Sequence, residues 1–260
     1  MALGKIKVLG IVGSPRKNGL TAELMGAAAV SARAAGADME ILHLVDYAIA
    51  PLTDLGANIQ VFCPQAVTVM CEEADAYIMG APVYYGEING LTKDFMDTVG
   101  LNSANGKPAV GYAVAGGSGK GLISGVQSLY HWFYHRQLRG VDPTPVSRFN
   151  LADARQALAL SAAKLVAMAQ NRTPFRGQER DDRWAAVLEH YAQLPYFKCD
   201  PVDEFVLLAR QLIAAASPEH PHVQQAQDAL DSALDFIAEG RRSAAAPLVV
   251  KAYELLYYSG

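Results

Sequence analysis

The stretch Val8-Leu-Gly-Ile-Val-Gly-Ser-Pro-Arg-Lys-Asn-Gly-Leu-Thr21 constrains this chain more than any other part of it. Ile6 to Val12 is an apolar run of the length of a buried strand. Gly13, Ser14, Pro15, Asn18 and Gly19 follow as a turn, and an alanine-rich helical pattern opens at Thr21. A strand feeding a polar glycine turn and then a helix start suits an anion. The first backbone N–H groups of a helix have no partner within it, and the helix dipole is positive at that end. Ser14, Asn18 and Thr21 add side-chain donors, and Arg16 and Lys17 add charge. A Walker loop is excluded, because five residues separate Gly13 from Gly19 and Leu20 stands where that loop needs Lys. A plain strand-to-helix turn uses the same residue types, so this stretch alone leaves both readings open.

Further along, the pattern repeats. Leu20, Leu24, Ala27, Ala28 and Ser31 share one helical face before Gly36, and Met39 to Leu44 is a short second strand. Residues 46–60 are irregular and 62–73 fit a helix with Pro64 in its first turn. Ala76 to Pro82 is a third strand, 83–90 a loop, and 91–99 a short helix. Pro108 to Ala115 is a fourth strand, Gly116 to Gly121 its loop, and Leu122 to Leu138 a helix. Val141 to Val146 is a weak fifth strand, interrupted by Pro143 and Pro145, and Ala152 to Gln170 is a helix. Alternation of this kind specifies an α/β fold with a doubly wound parallel sheet, and five strands suit the flavodoxin-like order 2-1-3-4-5. Ligands of such sheets bind beyond the carboxyl ends of the strands. The loops at 13–21, 81–90 and 116–121 all follow strands, so they should gather on one rim.

After Gly177 the strand signals stop. Apolar residues recur at helical spacing in 181–194, 203–216, 223–238 and 248–257, with Pro201, Pro218, Pro221 and Pro247 near the starts. Charge shifts at the same place: residues 1–177 hold 15 Lys and Arg against 13 Asp and Glu, whereas 178–260 hold 7 against 13. Two parts are therefore expected, a flavodoxin-like domain over 1–177 and a helical extension over 178–260. The net charge of −4 gives no footprint for nucleic acid. No apolar run reaches about 18 residues, so no membrane span is expected. With no signal-peptide core before the first strand, a cytoplasmic protein is expected. Cys63, Cys71 and Cys199 are an odd set without Cys-x-x-Cys, which argues against a disulfide framework or an all-cysteine metal site.

The second loop, Ala81-Pro-Val-Tyr-Tyr-Gly-Glu-Ile-Asn-Gly90, offers two aromatic rings as a stacking surface for a flat ligand, or simply as filling for the sheet edge. The third, Gly116-Gly-Ser-Gly-Lys-Gly121, lets backbone approach a ligand closely. It fails as G-x-G-x-x-G at Leu122, as a Walker loop at Val114, and as a nucleophile elbow around Ser118 at Lys120. His131 and His135 are one helical turn apart, but Trp132 stands where H-E-x-x-H needs Glu and no third ligand is apparent, so no metal is expected.

Taken together, Gly-Ser-Pro-Arg-Lys-Asn-Gly-Leu-Thr resembles the FMN phosphate loop of the NADPH-dependent FMN reductase family, a flavodoxin-like group. Ala-Pro-Val-Tyr-Tyr-Gly-Glu-Ile-Asn-Gly-Leu-Thr-Lys-Asp-Phe-Met-Asp is similar to its second flavin loop and following helix. The resemblance spans roughly residues 5–170. It implies FMN with its phosphate at Ser14, Arg16, Lys17, Asn18, Gly19 and Thr21. It implies the ring system near Pro82, Val83, Tyr84, Tyr85 and Gly86, with its pyrimidine edge near Gly116, Gly117 and Ser118. It also implies NADH or NADPH as hydride source, a small acceptor (quinone, nitro- or azo-aromatic, metal ion or flavin), and a homodimer or homotetramer. Arg16 or Lys17 would attract the dinucleotide's phosphates. No acid–base side chain is required, and no catalytic residue is assigned.

Three departures qualify the resemblance. The iron–sulfur flavoproteins, the branch most like it, carry a compact cysteine cluster after the second strand, yet residues 46–62 contain no cysteine. The part after Gly177 matches nothing in the family. Leu20 also replaces an Asn expected before the loop's Thr. Two alternatives remain open from the sequence: an FMN electron carrier that docks through the acidic 178–260, and a non-catalytic interaction protein that uses those helices.

Overall fold

Alternate side chains of a strand leave for opposite faces, and both faces of the central strands here are apolar. Leu9 and Ile11 of β1 (Lys7–Val12) enter one core layer, while Val8 and Val12 enter the other. The same division holds in β3 (Ala76–Tyr84), where Tyr77 and Met79 oppose Ile78. A computed structural model describes residues 5–54, 56, 58–102 and 104–259 of the protein. With β2 (Asp38–His43), the short β4 (Glu87–Ile88), β5 (Pro108–Ala115) and β6 (Arg139–Ser147), these strands form one sheet. Its parallel order is β2-β1-β3-β5-β6, and β4 pairs antiparallel with β3. Without that hairpin strand, this is the expected flavodoxin-like order.

Helices α1 (Leu20–Ala34) and α5 (Leu151–Gln170) cover one face. Ala28, Ala29 and Ala32 face Leu158, Ala162 and Leu165 in one core cluster, and Ser31 donates to the Ala159 carbonyl. The other face takes α2 (Gln65–Glu73), α3 (Gly90–Thr98) and α4 (Leu122–His135). Next comes α6 (Trp184–Ala192), which buries Val187 and Tyr191 in the same cluster as Tyr130 and Phe133 of α4. The change to all-helical sequence at Gly177 thus precedes the change in packing, because α6 stays with the sheet. Helices α7 (Pro201–Ala215), α8 (Val223–Ala238) and α9 (Arg242–Tyr257) share a core of Val206, Ala209, Leu230, Ala233, Val249 and Ala252. That bundle rests on the sheet part through a seam of Ala115, Leu122, Ile123, Leu208, Leu212, Tyr253 and Leu256.

Three boundaries differ from the sequence reading, each for a local reason. Strand β6 runs straight through Pro143 and Pro145. It is an edge strand, and its register shifts opposite Gly111: Val110 faces Val141, but Tyr112 faces Thr144. The extra residue takes up the proline as a bulge, with Asp142 at φ +38°. The ladder bond lost there is replaced by a side chain. Buried Tyr130 accepts the Gly111 N–H at 3.0 Å and donates to the Val141 carbonyl.

Helix α4 stops at His135 because Gln137 turns left-handed at φ +55° and Leu138 N–H reaches back to Phe133. That closure normally uses Gly, so no stop signal marked it. Helix α9 starts at Arg242, with Pro247 inside it. Pro247 and Ser243, whose carbonyl loses its partner, are both exposed, so water serves there. Arg242 anchors this start on Asp200 and Asp203 at the head of α7, where Asp200 also caps the Val202 and Asp203 amides.

Two outcomes follow. Tyr130→Phe leaves a buried N–H and carbonyl unpaired and should cost about 1–3 kcal/mol, a melting-temperature drop of roughly 2–10 °C in thermal unfolding. An unchanged melting temperature would contradict the bulge-bridging role. The Arg242 hydrogen bond holds the Asp200 carboxyl below its usual range. A depressed carboxylate contributes stability above its unfolded value of about 3.9, and loses it as pH falls through the folded value. Melting curves from pH 7 to pH 2 should therefore show a smaller acid loss in Asp200→Asn than in the wild type.

Candidate functional site

Because β1, β3 and β5 are parallel, their carboxyl ends lie together and the loops that leave them meet. The first loop is tied to strand β3, just before the second loop, where Gly13 N–H donates to the Gly80 carbonyl at 2.8 Å. Asn89 adds a second tie: its Nδ2 donates to the Gly13 carbonyl at 2.9 Å, and its Oδ1 accepts from Thr92 Oγ1. A Cβ on Gly13 would sit 1.9 Å from that Thr92 hydroxyl, so only glycine fits. The second and third loops touch at Gly121, where a Cβ would lie 2.5 Å from the Gly86 Cα, and Ser124 donates to the Gly86 carbonyl. The circuit closes between Gly116 and Leu20, since a Cβ on Gly116 would stand 3.7 Å from the Leu20 side chain.

On the first loop, Ser14 is buried, and its hydroxyl accepts the Arg16 N–H at 3.1 Å and donates back to the Arg16 carbonyl at 3.2 Å. This closes a tight turn that delivers Gly19, at φ −91° and ψ 171°, to the head of α1. No side chain caps α1 there. Among the described residues, the amides of Leu20, Thr21 and Ala22 have no acceptor. Thr21 is buried and its carbonyl accepts the Tyr112 hydroxyl at 2.6 Å, which fixes this turn of helix to β5. Asn18 and Arg16 are exposed. Lys17 lies 2.5 Å from Asp46, so its charge is shared, whereas the Arg16 guanidinium makes no ion pair among the described residues.

The second loop is a β-hairpin. Val83 pairs with Ile88 and Tyr84 with Glu87, leaving Tyr85 and Gly86 as a two-residue turn at φ +53° and +87°. Both central residues lie in the left-handed region, the type I′ geometry that suits strand twist. Pro82 is buried and its carbonyl accepts the Asn89 N–H at 3.1 Å. Val83 is half-buried, Tyr84 is 48% exposed and Tyr85 fully exposed. On the third loop, Gly116 and Gly117 are exposed and Ser118 is half-buried.

The candidate cofactor-binding residues of the three loops therefore lie on one rim. Asn89 and Thr92, which tie the loops together, were not singled out. An Asn before a helix reads as a cap, whereas Asn89 bonds a carbonyl 76 residues away instead. His131 and His135 line a separate cleft of about 350 Å³ with Trp132 and Met96. Among the described residues no group of three or more His, Cys, Asp or Glu is placed to hold a metal.

A parallel sheet with this order, an uncapped helix head after its first strand and three glycine-bearing loops on one rim define a flavodoxin-like protein. The chain matches the model of the NADPH-dependent FMN reductase family over residues 6–148, and it belongs to that family. Among curated relatives it is similar to an iron–sulfur flavoprotein of Archaeoglobus fulgidus, 34% identical over 97 residues that cover 35% of this chain and 48% of the relative. It is also similar to an iron–sulfur flavoprotein of Methanocaldococcus jannaschii, 29% identical over 55% of this chain and 80% of the relative. The first match thus spans about half of that relative's length. Solved structures with the same fold include an oxidoreductase from Corynebacterium diphtheriae, 14% identical, TM-score 0.51, over 65% of this chain and 99% of the other. The apo form of an NADH:FMN oxidoreductase, EmoB, is 21% identical with TM-score 0.50, over 69% of this chain and 94% of the other.

Asn89→Ala removes the tie between the first two loops and leaves the Gly13 carbonyl unpaired. It should cost about 1–3 kcal/mol in denaturant unfolding. Unchanged stability would show that the Gly13–Gly80 bond alone holds the rim.

Proposed function

We propose that this protein is an FMN-dependent oxidoreductase that takes a hydride from NADH or NADPH and delivers it to a small acceptor such as a quinone, a nitro- or azo-aromatic, a metal ion or a free flavin. The observation that carries this reading is the uncapped head of α1. Among the described residues the amides of Leu20, Thr21 and Ala22 have no acceptor, and they lie beside the buried Ser14 at the carboxyl end of β1. A phosphate monoester fits such a head. The family match and the flavoprotein names of the relatives support FMN as its owner.

When bound, FMN supplies the redox chemistry, and the protein supplies binding and orientation. In this reading the α1 amides hold the phosphate, the Ser14 hydroxyl turns to it from the Arg16 carbonyl, and Arg16, free of any ion pair among the described residues, adds charge. The Val83–Gly86 hairpin, stiffened by its I′ turn and by Ser124, forms the ring platform. Gly116 and Gly117 let backbone approach the ring edge. The exposed Tyr84 flanks an open face where a nicotinamide and then an acceptor take turns. Self-association into a homodimer or homotetramer belongs to the same proposal.

An iron–sulfur centre does not fit this chain, although the relatives' names include one. All-cysteine clusters take four thiolates, and the chain has three cysteines. Cys63 and Cys71 are buried thiols, and burial pushes Cys71 up to about 12. Cys199 belongs to the turn before α7, in the seam with the bundle.

The purified protein, with FMN added if needed, should show a flavin absorption band that bleaches when NADH or NADPH is added without oxygen. A band that bleaches with dithionite but with neither nicotinamide would favour an electron carrier. Protein that takes up no FMN would contradict the reading.

A further inference from the structure

The third loop is held from outside the family-matched segment. Helix α4 begins after Gly121 at φ +89°, a residue with no side chain to cap it. Glu204, in the first turns of α7, does so instead. Its Oε1 accepts the Gly121 N–H at 2.8 Å and its Oε2 accepts the Ile123 N–H at 3.0 Å. From α9, Tyr253 donates to the Ser118 carbonyl at 2.8 Å. Lys120 lies between Tyr253 and Phe205, its Nζ 5.3 and 5.5 Å from their ring centres. Gly119 stands at φ +84°, where a Cβ would meet the Leu208 side chain at 2.4 Å. Contacts to the bundle thus recur along residues 118–123. The amides of Gly117, Ser118 and Gly119 meanwhile have no acceptor among the described residues.

We infer that Glu204 and Tyr253 are positioning residues for the flavin: they hold the third loop so that its free amides meet the pyrimidine edge of FMN, which makes the helical bundle a wall of the cofactor site within the same chain. This rests on the FMN reading above. Geometry and charge both enter. A carboxylate across two amides fixes where the loop ends, and it cancels the positive end of α4 beside that loop. Two-electron reduction of a flavin at neutral pH leaves negative charge on its pyrimidine edge. The Glu204 carboxylate therefore disfavours the reduced form relative to the oxidised one.

The test titrates apoprotein with FMN by fluorescence and measures the two-electron potential against a reference dye, for wild type, E204A, E204Q and Y253F. E204A should weaken oxidised FMN about tenfold, and Y253F about threefold to tenfold, the scale of the hydrogen bonds removed. E204Q keeps the side-chain shape but has one acceptor oxygen, so it meets only one of the two amides and carries no charge. It should bind oxidised FMN more weakly than wild type but more tightly than E204A, while raising the potential by about 30 mV, a tenfold gain in relative affinity for reduced FMN. A role confined to fold stability moves melting temperature but not potential. Should E204A fail to fold, E204Q and Y253F carry the test. Wild-type affinity and potential in all folded variants would overturn the inference while leaving the FMN reading intact. A wild type that takes up no FMN would instead remove the reading on which it rests.

Discussion

Backbone N–H groups without partners are what this rim is arranged around. Helices α1, α3 and α4 present their heads there, and those of α1 and α4 are treated in opposite ways. The head of α4 is satisfied from within the chain, by the carboxylate of Glu204. The head of α1 has no side-chain cap, and three of its amides have no acceptor among the described residues. Leaving such groups unsatisfied has a cost unless water or a ligand meets them. The surroundings keep that head fixed: Tyr112 holds the Thr21 carbonyl, Ser14 closes the turn before it, and Asn89 holds Gly13. A rigid, positively polarised helix head without a side-chain cap suits an anion, which is the phosphate site proposed above.

The rest of the site follows from close approach. Gly13 fits only because nothing stands between its Cα and the Thr92 hydroxyl, and Gly121 only because nothing stands between it and Gly86. These contacts bind the three loops into one frame, so a ligand that grips the first loop is aligned with the hairpin and with the third loop. The bundle α7–α9 completes that frame through polar anchors on the third loop and an apolar seam on Leu122 and Ile123. Its acidic character is partly explained by this placement. Asp200 and Asp203 cap α7 and bind Arg242, and Glu204 caps α4.

Much of this was legible in the residue order. Runs such as Val8 to Val12 and Ala76 to Ala81 are apolar on both faces, which specifies a covered parallel sheet, and the glycine turns mark where its strands end. The alternation pointed to a parallel sheet, its five strands suited the order 2-1-3-4-5, and parallel strands carry the three loops to one rim. What stayed hidden depends on distant partners. Pro143 and Pro145 read as strand breakers, because the bulge and the bridging Tyr130 that accommodate them come from another element. Gln137 gave no sign of ending α4, since the left-handed turn there uses no glycine. The hairpin at Tyr85–Gly86 read as a loop because Tyr is not the usual residue for that turn. Asn89, Glu204 and Tyr253 act at sequence separations of 76 to 135 residues, and nothing local to them announces their role.

The most direct test of the central claim is a crystal structure of the protein with flavin mononucleotide bound. The phosphate oxygens should lie about 2.7–3.2 Å from the amide nitrogens of Thr21 and Ala22 and from the Ser14 hydroxyl, with the ring against the Val83–Gly86 hairpin. A phosphate seated elsewhere, or a rim that stays empty at saturating flavin, would contradict the account.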